Sequence, residues 1–92
     1  PADVQLEILS VRRTVTALMS ARDEMDALID IHEADAEEAE AKVEIDDERL
    51  TPTQRKRASA QARRSRTLAE RCRMQKRQNE LEIMAYMASK EG

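Results

Sequence analysis

The stretch DDERLTPTQ, residues 46–54, interrupts a sequence that otherwise suits long helices. Thr51 is followed by Pro52, and Gln54 lies three residues after the threonine. This spacing is typical of a capping box, with proline at the first helical position. The pattern therefore predicts that a helix begins at residue 52. No glycine marks the end of the preceding helix, so the sequence does not fix its last residue. We expect that helix to end somewhere in 45–49.

The composition favours helices over strands. Charged residues make up 38% of the 92 residues, aromatic residues 1%, and there is one glycine. Sheet proteins need β-branched and aromatic runs between glycine-rich turns, and this chain lacks them. We therefore predict a single all-α domain: a long antiparallel two-helix hairpin, coiled-coil-like in its packing. Helix 1 covers about 3–47, the turn 48–51, and helix 2 about 52–89.

A heptad repeat of apolar residues supports this prediction. Alternate steps of four and three from Val4 to Val43 meet twelve positions, of which ten are apolar and none is acidic. Such a repeat is typical of a coiled-coil helix. The second half has the same spacing from Ala58 to Tyr86, with smaller residues. We predict a hairpin seam that includes Val11, Val15, Met25, Ile29, Ala36, Ala39, Ala58, Ala62, Ala69, Cys72, Ile83 and Tyr86.

The phase of the repeat favours a turn over the alternative of one continuous helix kinked at Pro52, because the two apolar stripes are out of phase by one residue. Folding the chain at the turn places Ala36 opposite Ala62 and Ala39 opposite Ala58. Small residues then face each other, so the helix axes can approach to about 8 Å.

Two cations complicate this pairing. Arg22 and Lys76 would share one layer of the seam, and like charges that face each other are destabilising. We expect their long side chains to reach out towards Asp23, Asp26 or Glu80.

Charge is divided unevenly along the chain. Residues 1–50 carry 15 acidic and 5 basic side chains, a net of −10, and residues 51–92 carry 4 acidic and 11 basic, a net of +7. Such a division indicates either a basic arm for nucleic acid or two segments that pair with each other. In the hairpin the acidic residues of 33–40 lie alongside the arginines of 57–66, which favours pairing. The charges then select the register, because a shifted pairing sets like charges together.

Nucleic-acid binding is the alternative function. A helical dimer would use an outward basic edge of helix 2, formed by Arg55, Lys56, Arg73 and Arg77. Its affinity would fall steeply with salt.

Residues 58–66, ASAQARRSR, resemble the basic region of basic leucine-zipper proteins, with Ala62 and Arg66 at matching positions. The resemblance covers only nine residues. Ala58 stands where that family places the asparagine that reads bases, and the zipper leucines do not follow. The chain is therefore not assigned to that family.

Several large apolar residues near the open end of the hairpin lie off the seam. A two-helix hairpin cannot bury two faces of each helix, so they predict an interface with further helices. The candidates are Leu6, Leu9, Met19, Leu81, Met84 and Met87. The interface would join copies into a homo-oligomer, such as a four-helix bundle, or bind another protein, since methionine-rich surfaces adapt to varied shapes.

The sequence predicts no catalytic, cofactor-binding or metal site. His32 is the single histidine, and HEADA has Ala36 where a zinc-binding H-E-x-x-H helix needs its second ligand. Cys72 is the single cysteine and has no histidine partner for nucleophilic chemistry. We therefore expect a non-enzymatic structural, scaffold or adaptor protein, for example in a virion, secretion or other multi-protein assembly.

The sequence also bears on location. The longest apolar run, 83–88, is far below the roughly 20 residues that cross a bilayer. The first residues lack the basic and apolar regions of a secretory signal. We expect a cytoplasmic protein, or one inside an intracellularly assembled particle, without membrane association.

Overall fold

A computed structural model of the chain describes residues 2–45 and 49–91, with side chains at 5, 12–45 and 49–89. It contains two helices, α1 (Ala2–Glu44) and α2 (Pro52–Glu91). They pack side by side as an elongated hairpin of 73 × 18 × 15 Å. Glu33 and Glu40 of α1 contact Arg73 and Arg66 of α2, respectively, so the helices run antiparallel. The predicted all-α helical hairpin is confirmed.

The start of α2 is the predicted capping box. The backbone N–H of Thr51 donates to Gln54 Oε1 at 2.8 Å, and the N–H of Gln54 donates to Thr51 Oγ1 at 3.1 Å. Pro52 is the first helical residue. Amides at a helix start have no acceptor within the helix, and this reciprocal pair satisfies two of them.

Helix α1 ends at Glu44, and Ile45 is the last residue described before the turn. The predicted end at residue 47 lies outside the described residues. Lys42 in the last turn complements the negative end of the helix dipole. The sequence Asp-Asp-Glu at 46–48 has the opposite sign, and negative charge disfavours a helix C-terminus. Arg49 and Leu50 then lead into the capping box.

The core is a narrow seam built largely from alanine. Ala36 and Ala69 have no exposed surface. The buried apolar residues are Ile29, Ala36, Ala39, Ala62, Ala69 and Ile83. All six belong to the predicted seam.

The remaining predicted seam residues are less enclosed. Met25 and Cys72 are half-buried, as are Val15 and Ala58 towards the two ends. Tyr86 is 40% exposed, because a large ring at the open end of two helices has few neighbours to cover it. The side chain of Val11 lies outside the described residues.

Two polar residues are buried in the seam, and each is bonded within its own helix. Gln75 Nε2 donates to Asn79 Oδ1 at 2.9 Å, and Gln61 Nε2 donates to Ser65 Oγ at 3.3 Å. Among the described side chains, no buried nitrogen or oxygen lacks a hydrogen-bond partner. The small polar groups therefore fit between the helices without the cost of an unsatisfied buried group.

The three ion pairs that join the helices lie about one to two helical turns off the predicted pairing. In the predicted register Glu40 lies level with 57–58, about eight residues from Arg66, or roughly 12 Å along the helix. The observed bonds between Glu40 and Arg66 exclude that offset. A shift of one turn brings Ala39 level with Ala62. Arg22 remains close enough for its charge to act on Lys76, and each of the two cations contacts an aspartate.

The capping box gives a first test. Replacement of Thr51 by alanine removes the acceptor for the N–H of Gln54. We therefore expect the free energy of unfolding to fall by about 1 kcal/mol. Urea unfolding followed by circular dichroism measures this change. Thr53→Ala is the matched control, because Thr53 is exposed and takes no part in the cap. Equal effects of the two substitutions would contradict the assigned role of Thr51.

The close packing of the seam gives a second test. Ala36→Leu adds a branched side chain where no surface is exposed, so we expect a destabilisation of about 1–3 kcal/mol. The control is Ala34→Leu, which makes the same change at an exposed position on the same helix. A wild-type melting temperature for Ala36→Leu would show that the helices are not in close contact there.

Candidate functional site

One flank of the hairpin carries the ion pairs that join the two helices. Arg66 Nε and one of its terminal nitrogens donate to the two carboxylate oxygens of Glu40 at 2.9 and 3.0 Å. Arg73 contacts Glu33, one heptad before Glu40, and also lies 3.4 Å from Glu70. This side is named the ion-pair flank. The Arg66 pair is bidentate, which fixes its geometry more strictly than a single bond does.

The third pair on this flank resolves the predicted conflict between cations. Lys76 Nζ lies 2.6 Å from Asp26, which is one heptad before Glu33. Arg22 turns instead to Asp23, at 3.5 Å. Both cations therefore reach outwards to the acidic residues that we expected.

These contacts shift proton affinities in the expected directions. The hydrogen bonds from Arg66 lower the pKa of Glu40 below its ordinary value. The same bonds raise the pKa of Arg66. The hydrogen bond to Asp26 raises the pKa of Lys76, and the nearby charge of Arg22 opposes that shift. Each partner thus favours the charged form of the other.

The opposite side, named the second flank, has a different character. Asp35, Glu38 and Lys42 of α1 line a shallow surface cavity there together with Gln61 of α2. Arg57 lines the adjoining cavity with Lys42 and Gln61. All three ion pairs that join α1 to α2 in the described part of the chain lie on the ion-pair flank. The second flank therefore presents its charges to the exterior.

Large apolar side chains are exposed at the open end, on the outer side of α2. Leu81 is 52%, Met84 65% and Met87 55% exposed. Met19 of α1, 37% exposed, lies one heptad before Asp26, so it extends the ion-pair flank towards the same end. These four residues are named the open-end patch. They are four of the six predicted interface residues, and the side chains of Leu6 and Leu9 lie outside the described residues.

Other exposed apolar residues were missed by the sequence reasoning. Met74 is 65% exposed on the outer side of α2. Leu28, Ile31 and Ile45 are 37%, 54% and 58% exposed on α1. The heptad spacing could have identified two of them. Ile31 and Ile45 lie one heptad before and one heptad after Glu38, so all three residues share the second flank.

The structure does not gather the four cations of the predicted basic edge on one outward face. Lys56 and Arg77 are exposed, whereas Arg55 is half-buried. Arg73 faces α1 through its contact with Glu33.

In the described ranges, the residues best suited to chemistry are one histidine and one cysteine. His32 and Cys72 are half-buried in separate helices. A search of the described residues finds no cluster of three or more His, Cys, Asp or Glu that could hold a metal ion. The cavities beside the turn are open grooves between the two helices. Neither helix, as far as it is described, has a segment long and apolar enough to span a bilayer.

Comparison with known proteins yields no relative: no protein-family model, curated protein or solved structure matches this chain.

The pKa of Glu40 gives a test of the ion-pair flank. Because the folded pKa lies below the ordinary 4.5, the pair contributes its full stability above that value and loses it as the pH falls through the folded pKa. We expect the melting temperature to fall between about pH 6 and pH 3, and to fall less in Glu40→Gln. Asp30→Asn is the control, since the exposed Asp30 lies outside the three cross-helix pairs. Identical pH profiles for wild type and Glu40→Gln would refute the pairing.

Proposed function

We propose that this protein is a non-enzymatic structural or adaptor component that assembles with other helices through the open-end patch. The exposure of Leu81, Met84 and Met87 at one end of the rod is the observation that carries this proposal. Monomeric proteins rarely expose contiguous apolar patches larger than a few hundred Å², and larger patches mark interaction sites. The flexible methionine side chains suit a surface that packs against another helix.

The form of the patch indicates the kind of partner. Leu81, Met84 and Ala88 follow one another at helical spacing along the outer side of α2. An apolar stripe on an exposed helix is complementary to a second apolar stripe, as in helical bundles. A second copy provides such a stripe, so the simplest assembly joins hairpins through their open ends. A helix of another protein would meet the same requirement.

Nucleic-acid binding is the second candidate function. Its support is the set of exposed cations on α2 that make no described ion pair with α1: Lys56, Arg57, Arg63, Arg64, Arg71 and Arg77. The net charge of −3 and the acidic α1 on the same narrow rod oppose the approach of a polyanion. Nucleic acid that co-purifies at about 50 mM salt and is released by about 200 mM would favour this candidate.

Light scattering tests the proposed assembly. At about 0.5 M salt, where surface charges are screened, we expect a mass of at least twice the 10.5 kDa of one chain. The double substitution Leu81→Glu and Met84→Glu places two charges in the patch. We expect it to reduce the mass to one chain while the helical circular dichroism is retained.

The matched control is Ala60→Glu with Thr67→Glu. Both residues are exposed, and on the same helix face Thr67 lies two heptads and Ala60 three heptads before Leu81. The control therefore adds the same charge as the patch variant, but far from the patch. The control should assemble as the wild type does. A wild-type mass of 10.5 kDa at high protein concentration, or equal loss of assembly in the control, would contradict assembly through the patch.

A further inference from the structure

We propose that the second flank is a lateral docking surface for a second copy of this chain, with α1 of each copy lying on α2 of the other. This contact is separate from the open-end patch, which lies on the outer side of α2 and on the ion-pair flank. The inference depends on the arrangement of charged and apolar side chains along the second flank. It does not rest on the proposed function.

Apart from Lys42 of α1, which lines the same cavity, charge is sorted by helix on this flank. The acidic side chains of α1 and the basic side chains of α2 form two parallel rows, and no described ion pair joins one row to the other within the hairpin. Glu38 has only a weak contact within α1, at 3.9 Å from Lys42. The acidic row contains Glu24, Asp35 and Glu38, and the basic row contains Arg57, Arg64 and Arg71, which recur every seven residues.

Apolar side chains lie among these charges. Ile31 is 54% and Leu28 37% exposed on α1, and Leu68 is half-buried on α2. One flank of a rod 73 Å long and 18 Å wide can exceed the roughly 800 Å² per partner of a standard interface. The flank therefore has the apolar groups and the length that a helical bundle needs, with charges at the border of the contact.

Charge also selects how the two copies are oriented. If the two-fold axis runs parallel to the hairpin, the acidic row of each copy lies on the basic row of the other, and the contact occurs twice. If the axis is perpendicular to the hairpin, α1 lies on α1 and α2 on α2, so like charges meet. Like charges that face each other across an interface disfavour that arrangement. The parallel axis is therefore the arrangement that fits.

The acidic row explains why the partner is a second copy rather than a nucleic acid. A phosphate backbone would neutralise Arg57, Arg64 and Arg71 but would lie beside Asp35 and Glu38 of the same flank. A second copy presents charges of the required sign to both rows. The parallel two-fold axis also brings the two open-end patches to the same end of the pair, which would give any partner of that patch two adjacent sites.

The experiment uses the full chain that carries Leu81→Glu and Met84→Glu, so that association through the open end is absent. In this background we expect sedimentation to show two copies at about 0.05 M salt and one copy at about 0.5 M salt, because screening weakens exposed charge contacts. If the unsubstituted chain is already a single copy at high salt, the proposed function fails while the lateral contact is still tested at low salt.

Charge reversal identifies the two rows. In one variant Arg57, Arg64 and Arg71 become Glu, and in the other Glu24, Asp35 and Glu38 become Lys. Each alone should weaken pairing by more than about tenfold, and an equimolar mixture of the two should restore a one-to-one pair. The control variant changes Lys56, Arg63 and Arg77 to Glu. It alters the net charge equally, but Arg63 faces the ion-pair flank beside Arg66, so pairing should persist.

Circular dichroism of each variant establishes that the hairpin is folded before its association is measured. A background protein that is a single copy at low salt would overturn the proposal, as would a mixture that does not pair. Equal loss in the control would show a non-specific effect of net charge. Binding of a labelled DNA duplex to the chain is measured as well. If the Arg57, Arg64 and Arg71 variant and the control variant both weaken that binding, the cations serve a polyanion and the proposal is overturned.

Discussion

The close approach of α1 and α2 along a seam of alanines is the constraint on which the rest of the structure depends. Ala36 and Ala69 are completely enclosed, so no large side chain separates the backbones there. Charged side chains on the flank can consequently reach from one helix to the other, and Glu40 and Arg66 form a bidentate pair. Packing sets the distance between the helices, and the ion pairs set their register.

The same seam limits the stability of the isolated hairpin. Burial contributes about 0.8 kcal/mol for each methylene-sized group, so an alanine contributes much less than a leucine. Meanwhile Met74, Leu81 and Met84 remain more than half exposed. Several large apolar side chains are thus outside the hairpin while the seam is built mostly from alanine, which is unlike a self-sufficient domain. This distribution is the physical reason why we expect further helices to cover the outer side.

Heptad spacing and the capping box were sufficient to predict the two helices and the start of α2, and the predicted seam includes the six buried apolar residues. Both signals are local and depend on residue types at fixed intervals. The register was not predictable in the same way. Small residues recur at Ala58, Ala62, Ser65 and Ala69, and alanine packs on alanine almost equally well after a shift of one turn. Only the geometry of the long charged side chains distinguishes the two pairings.

The candidate surfaces also differ in whether the sequence alone could identify them. The open-end residues deviate from the seam in the sequence itself, so Leu81 and Met84 could be identified before their exposure was known. The basic edge could not, because whether Arg73 points outwards depends on the position of Glu33 in the other helix. The two flanks differ only after the register is known, so the second flank emerged from the structure.

The seam also grades from small side chains near the turn to larger ones at the open end, where Ile83 is buried. Residues near the turn close a short loop, whereas contacts at the open end close a loop of most of the chain, and the entropy of closure rises with loop length. The bulkier groups therefore lie where ordering the chain costs most. Contacts near the turn can therefore form at little entropic cost, and the larger side chains hold the open end together.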